Sequence, residues 1–216
     1  MRIGIFDSGI GGQAIAATLY NLIPSAEIIS INDHNNMPYG NLRPNEIIKL
    51  TKNAIQPLIN ANCDAIIIAC NTATTVAISS LRLTYPNINF IGIEPMVKPA
   101  TMMSKTKSIA VCATTGTLNS DRYKYLKKTW AKDVEIIEPI CDNWAKLIED
   151  GQSDEINITS TIRSLIKHNV DVIVLGCTHY HWIKNRIIDV AGPNTVVLEP
   201  SDAIAARIKS IISKVD

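Results

Sequence analysis

The chain has 216 residues, 46% hydrophobic and 19% charged, enough for one large or two small α/β units, each with a workable core. Its 21 basic and 20 acidic side chains leave a formal charge of +1 and form no basic stripe, which argues against a nucleic-acid partner and for small-molecule chemistry. No apolar run reaches the roughly 18 to 20 residues of a membrane span, and five cysteines without CxxC spacing argue against a disulfide framework or a structural zinc knot.

Met1-Arg2-Ile3-Gly4-Ile5-Phe6 leads straight into a strand over 2–6 rather than a signal sequence, so a cytoplasmic protein with reduced thiols is expected. Asp7-Ser8-Gly9-Ile10-Gly11-Gly12 then makes a tight turn before a helix marked by Ile15, Leu19 and Leu22. The turn resembles a phosphate loop, but its spacing fits neither the dinucleotide fingerprint nor the P-loop. A strand at about 27–31 runs into the polar loop Asp33-His34-Asn35-Asn36-Met37-Pro38-Tyr39-Gly40, where Tyr39 offers a hydroxyl. Pro44 opens a helix with an apolar stripe of Ile47, Ile48, Ala54, Ile55, Leu58 and Ile59.

A third strand ends at Cys70, a helix is predicted from Thr72 to Leu83, and a strand near 88–92 precedes a hinge at Glu94-Pro95. Ile109 to Cys112 begins a second series with its own strand. The polar turn Ala113-Thr114-Thr115-Gly116-Thr117 takes the place that the Asp7 turn holds in the first. Helix follows over 119–130, strand over 133–138, helix over 143–150, and helix over 154–168 with Ser153 as N-cap. A strand over 171–175 reaches Cys177. Helix 180–190 and strand 195–198 come next, and Ser201 caps a last helix whose apolar face carries Ile204, Ile208, Ile211 and Ile212.

The two series share one stretch. Asn62-Cys63-Asp64-Ala65-Ile66-Ile67-Ile68-Ala69-Cys70-Asn71-Thr72 reappears as Asn169-Val170-Asp171-Val172-Ile173-Val174-Leu175-Gly176-Cys177-Thr178-His179. Each copy places a cysteine where a buried strand gives way to loop and helix, the edge at which open α/β sheets bind ligands. The expectation is an α/β protein of two pseudo-symmetric lobes, each a mostly parallel sheet flanked by helices, with the active site in the cleft between them. Residues 1–93, completed by the helix at 199–216, form the first lobe, and residues 94–198 the second.

Cys63 and Cys112, in or beside apolar runs, read as small hydrophobes. Cys70 and Cys177 instead precede polar helix starts, which should lower their thiol pKa values and suit them to acid/base work. Two opposed thiols match a racemase or epimerase, in which a base removes an α-proton from one face and an acid returns one to the other. The carboxylate-bearing intermediate then needs fixed donors, for which Ser8, Asn71, Thr72 and Thr178 are candidates. Asp7 and His179 are placed to assist Cys70 and Cys177. A zinc site of Cys177, His179 and His181 is the lesser alternative, and a non-catalytic amino-acid-binding protein is the rival of another class.

The chain resembles the glutamate racemases of the cofactor-independent aspartate/glutamate racemase family. The likeness rests on Ile5-Phe6-Asp7-Ser8-Gly9-Ile10-Gly11-Gly12, Pro38-Tyr39-Gly40, Ala69-Cys70-Asn71-Thr72-Ala73, Gly92-Ile93-Glu94-Pro95, Thr114-Thr115-Gly116-Thr117 with Ser120, and Leu175-Gly176-Cys177-Thr178-His179-Tyr180. It implies interconversion of L- and D-glutamate without pyridoxal phosphate or metal, the D-form feeding peptidoglycan synthesis. By matching position, Cys70 and Cys177 become the acid/base pair, with Asp7 and His179 assisting. Ser8, Pro38, Tyr39, Gly40, Asn71, Thr72, Thr114, Thr117 and Thr178 line the pocket for an acidic amino acid. Glu149 matches an acid placed near the site, against its reading as a solvated helix residue. Aspartate is the alternative substrate, and a homodimer the candidate assembly. The chain departs from the family in its shorter length, in Asn36, in Cys141-Asp142-Asn143-Trp144 and in Glu199-Pro200-Ser201.

Overall fold

The computed structural model describes residues 1–212, and side chains as far as residue 210. The chain divides into two compact units, Met1–Ile93 together with the described residues from Pro200 on, and Glu94–Glu199.

In the first unit, β1 (Arg2–Asp7), α1 (Gly11–Leu22), β2 (Glu27–Asn32), α2 (Pro44–Ala54), α3 (Gln56–Asn60), β3 (Ala65–Ile68), α4 (Asn71–Thr84) and β4 (Asn89–Gly92) follow one another. The four strands form a parallel sheet of order β2-β1-β3-β4, with Ile5 beside Ile67 and Phe6 beside Ile68. β1 and β3 are buried on both faces, which explains why they read as apolar runs rather than as alternating strands. One face packs Ile3, Ile5 and Ile67 against Ile15 and Leu19 of α1 and against Ile204 and Ile208 of the final helix. The other packs Phe6, Ile66 and Ile68 against Ile47, Leu58 and Ala77.

The helix predicted from Pro44 onward is two helices, broken at Ile55. Pro57 has no N–H to give to a carbonyl four residues back, so the apolar stripe survives while the helix restarts.

The second unit repeats the plan with α5 (Val97–Met103), β5 (Ser108–Cys112), α6 (Thr115–Leu118), α7 (Asp121–Trp130), β6 (Glu135–Ile137), α8 (Trp144–Glu149), α9 (Ile158–Lys167), β7 (Val172–Leu175), α10 (Lys184–Ala191) and β8 (Val196–Leu198). Its parallel sheet has the order β6-β5-β7-β8. Two helix starts differ from those predicted. α9 begins after Asn157, whose Oδ1 accepts from Ser160 N at 3.1 Å, and not after Ser153, which lies in a short 3-10 turn. The segment after Cys177 is a 3-10 stretch, Thr178–Ile183, before α10. The last helix, α11 (Ser201–Ile212), returns to the first unit. Ile204 and Ile208 are buried there, whereas the side chains of Ile211 and Ile212 lie outside the described residues.

The duplicated stretch folds by one local rule in both units. Asn62 and Asn169 both take positive φ, 53° and 59°, a left-handed turn that asparagine tolerates better than most residues. The Asp two residues later then anchors the backbone leading into the neighbouring central strand. Asp64 Oδ2 accepts from Arg2 N at 2.7 Å. Asp171 accepts from Ser104 Oγ and Lys105 N, both at 2.6 Å, and from Thr106 N at 3.0 Å.

Partial burial opposes ionisation of Asp171, but the hydrogen bonds from Ser104, Thr106 and Lys105 outweigh it and hold the carboxyl below its usual range. A folded-state pKa below the unfolded one stabilises fully above pH about 4 and ceases to do so as pH falls through the depressed value. Asp171→Asn is expected to destabilise the fold at pH 7 by about 1 kcal/mol after discounting for solvent screening, read as a lower urea midpoint. The gap to the unaltered chain should close on acidification below pH about 4. Equal midpoints at pH 7 would show that the anchor contributes nothing.

Candidate active site

The strand order 2-1-3-4 makes the chain leave its first central strand in opposite directions, and open parallel sheets bind ligands at the carboxyl end of that switch point. In the first unit this point lies between β1 and β3. β1 ends in Asp7 with Ser8 directly after it, and Cys70 stands two residues past β3 as the N-cap of α4. In the second unit it lies between β5 and β7, where the Thr114–Thr117 turn and Cys177-Thr178-His179 emerge.

In the first half-site all the polar groups are buried: Asp7, Ser8, Cys70, Asn71 and Thr72. Ser8 Oγ donates to Cys70 Sγ at 3.2 Å, and Ala73 N donates to the same sulfur at 3.4 Å. Asp7 Oδ1 accepts from Gly9 N at 2.8 Å, which fixes the carboxylate at the turn. Gly12 lets α1 start hard against it, because a Cβ there would stand 2.7 Å from the Asp7 Cβ. That close approach accounts for Gly12 without a phosphate.

The expected fall in thiol pKa is not found at Cys70. Burial pushes the thiol up to about 11, the Asp7 carboxylate pushes in the same direction, and the bonds from Ser8, Ala73 and Thr72 only partly oppose them. Cys70 therefore rests as a protonated thiol. Among the described residues, both ends of the buried Asn71 amide lack a hydrogen-bond partner. An amide left so costs about 1–3 kcal/mol, which a polar ligand at the α4 N-terminus would recover.

The loop after β2 is tied inward. Tyr39 is 1% exposed, packs against Phe6, and donates its hydroxyl to Asp33 Oδ2 at 2.6 Å. Burial and Asp33 together raise its pKa. Pro38 and Gly40 flank it, half-buried, while Asn36 Nδ2 donates to both Asp33 oxygens.

In the second half-site, Cys177 Sγ lies 3.6 Å from His179 Nδ1, and His179 Nε2 lies 2.7 Å from Glu149 Oε2. The His179 and Glu149 side chains are 4% and 3% exposed. The solvated-helix reading of Glu149 is thereby overturned: α8 points it inward onto His179. With the carboxylate accepting from Nε2–H, Nδ1 is left as the acceptor facing the thiol. Thr178 is buried beside them. Gly176 admits the close pass of β7 along β5, since a Cβ there would stand 2.9 Å from that of Ala113. Thr114 Oγ1 accepts from Thr117 N at 3.3 Å to cap α6 and lies 3.1 Å from Thr117 Oγ1, so these hydroxyls form one connected pair.

Residues to which sequence reasoning gave no part in the racemase site complete this half. Cys112 and Cys141 hydrogen-bond through their side chains, which together with burial drives the Cys141 pKa far up. Tyr180 is fully buried edge-on to Trp144 and donates to Cys141 O at 3.0 Å. His181 turns away to Glu199, 3.4 Å off, and among the described residues no three His, Cys, Asp or Glu side chains are grouped to hold a metal ion.

A parallel α/β unit built twice, each copy bringing a buried cysteine and polar neighbours to its switch point, defines an α/β enzyme. The chain belongs to the Asp/Glu/Hydantoin racemase family, which matches it over residues 15–208. It is similar to a glutamate racemase of Herpetosiphon aurantiacus, 37% identical over 99% of this chain and 85% of the relative. Among solved structures it resembles glutamate racemase isoform RacE1 of Bacillus anthracis, with 25% identity, TM-score 0.83 and coverage of 98% and 81% of the two chains. It also resembles the Francisella tularensis glutamate racemase in complex with D-glutamate, with 28% identity, TM-score 0.80 and coverage of 99% and 81%.

Proposed function

We propose that the protein interconverts L- and D-glutamate by two-thiol proton transfer at the α-carbon, without pyridoxal phosphate, and so supplies D-glutamate for peptidoglycan. The observation that carries this reading is the paired placement of Cys70 and Cys177, each at a switch point and each with its own proton-handling neighbours. The family match and the glutamate racemase relatives support it.

One thiolate removes the α-proton while the thiol on the other face delivers its own, and the roles exchange with substrate handedness. Cys177 ionises by passing its proton to His179 Nδ1, the imidazolium being held by Glu149. Cys70, resting protonated, is the donor, and the Ser8 O–H and Ala73 N–H that point at its sulfur are set for the thiolate it becomes. Working in the reverse sense, Cys70 must lose its proton. The substrate's α-ammonium, arriving near Asp7, offsets the carboxylate's upward push on that thiol.

Abstraction of the α-proton spreads negative charge onto the substrate carboxylate, and preorganised donors stabilise it. Ser8, Asn71, Thr72 and Thr178 supply them, with the unpartnered Asn71 amide the strongest candidate. Thr114 and Thr117 hold the substrate from the second unit, and Pro38, Tyr39 and Gly40 shape its surroundings.

Purified protein incubated in deuterated water without added cofactor is expected to convert L-glutamate to the racemate, with solvent deuterium at Cα of the product. D-glutamate should give the same end point. Binding without exchange or change in optical rotation would make it a binding protein, and exchange only with aspartate would reassign the substrate.

A further inference from the structure

We propose that Asp142 is a positioning residue for substrate binding, setting the Thr114–Thr117 turn from the loop that follows β6. The proposal rests on the racemase reading and names a residue outside its machinery.

Asp142 Oδ1 accepts from Thr115 N at 3.1 Å and from the Thr115 hydroxyl. One carboxylate oxygen thus fastens the residue between the two threonines assigned to the substrate, and does so at the first turn of α6. Thr114 Oγ1 and Thr117 Oγ1 are already tied to each other, so the turn moves as a unit. A shift of Thr115 carries both hydroxyls with it.

The same loop is fixed on its other side. Tyr180 donates to the Cys141 carbonyl, and Tyr180 directly follows the Cys177-Thr178-His179 segment. Trp144 and Glu149 of α8 continue from the loop to pack on Tyr180 and to hold His179. The segment from Cys141 to Trp144 therefore sits between the turn that binds and the turn that transfers protons. Asp142 faces only the first of these through a direct hydrogen bond. It lies at the solvent-exposed edge, so water competes for its acceptor and its contribution is modest.

Because the Thr turn holds substrate equally in the ground state and the transition state, losing its anchor weakens binding without slowing the chemical step. Asp142→Ala is expected to raise KM for glutamate about fivefold in both directions, with kcat within about twofold. Asp142→Asn keeps an oxygen acceptor in place and should restore KM to within about twofold. Thermal unfolding of each variant, measured alongside, separates a loosened turn from a loosened fold. An unchanged KM in Asp142→Ala overturns the proposal, as does a fall in kcat at constant KM, or an Asp142→Asn variant as impaired as the alanine one. If the unaltered chain racemises no acidic amino acid, it is the functional reading that fails, and the two results cannot be confused.

Discussion

Cys70→Ser and Cys177→Ser are each expected to abolish racemisation, with kcat falling about 10³-fold or more in both directions. A serine hydroxyl gives up its proton far less readily than a thiol, so each variant lacks one of the two groups that must ionise in turn. What remains is informative. On the two-thiol proposal the surviving thiol serves one face of the α-carbon, so each variant should wash solvent deuterium slowly into one enantiomer without inverting it. The two variants should select opposite enantiomers. If both exchange the same enantiomer, or if either racemises normally, the two-thiol assignment is wrong. The halves are also expected to differ in degree. Cys177 has an imidazole at 3.6 Å to take its proton, whereas Cys70 sits beside a carboxylate that keeps it protonated, its pKa pushed up to about 11. The slower exchange should therefore belong to the variant that depends on Cys70 as base.

Glu149→Gln is expected to lower kcat about 10²-fold while leaving KM little changed. Glutamine still accepts from His179 Nε2, so the ring keeps its orientation, but the negative charge that stabilises the imidazolium is gone. Both side chains are almost wholly buried, and such a pair interacts far more strongly than an exposed one. The loss should concentrate on the half-reaction in which Cys177 acts as base, visible as slowed deuterium entry in the Cys70→Ser background. Normal turnover by Glu149→Gln would reduce the His179–Glu149 contact to packing.

The core of this arrangement was legible in the sequence because strands buried on both faces leave uninterrupted apolar runs. Ile66–Ile68 and Val172–Leu175 announced themselves, and with them the positions of Cys70 and Cys177. The duplication was legible for a second reason. The left-handed turns at Asn62 and Asn169 and the anchors at Asp64 and Asp171 demand particular residue types, so two copies built by the same rule keep them.

What was not legible depended on contacts between segments distant in the chain. Nothing local distinguishes Glu149 on α8 from a solvated helix residue, since its partner lies 30 positions away on a different element. Asp142 and Tyr180 likewise act through such contacts. The Cys70 pKa was misjudged in sign because a helix N-terminus can be seen in sequence, whereas the depth of burial and the facing Asp7 cannot. The helix starts at Ile158 and Lys184 were missed where a 3-10 turn intervenes before the α-helix.

The return of α11 to the first unit has a consequence for biogenesis. Ile204 and Ile208 complete the apolar layer begun by Ile3, Ile15 and Leu19, so a sheet translated before the second unit waits for a helix translated after it. On the ribosome, the Glu94–Glu199 unit has its whole sequence available first. The first sheet, with Cys70 at its carboxyl end, spends that interval with the face that α1 covers left incomplete.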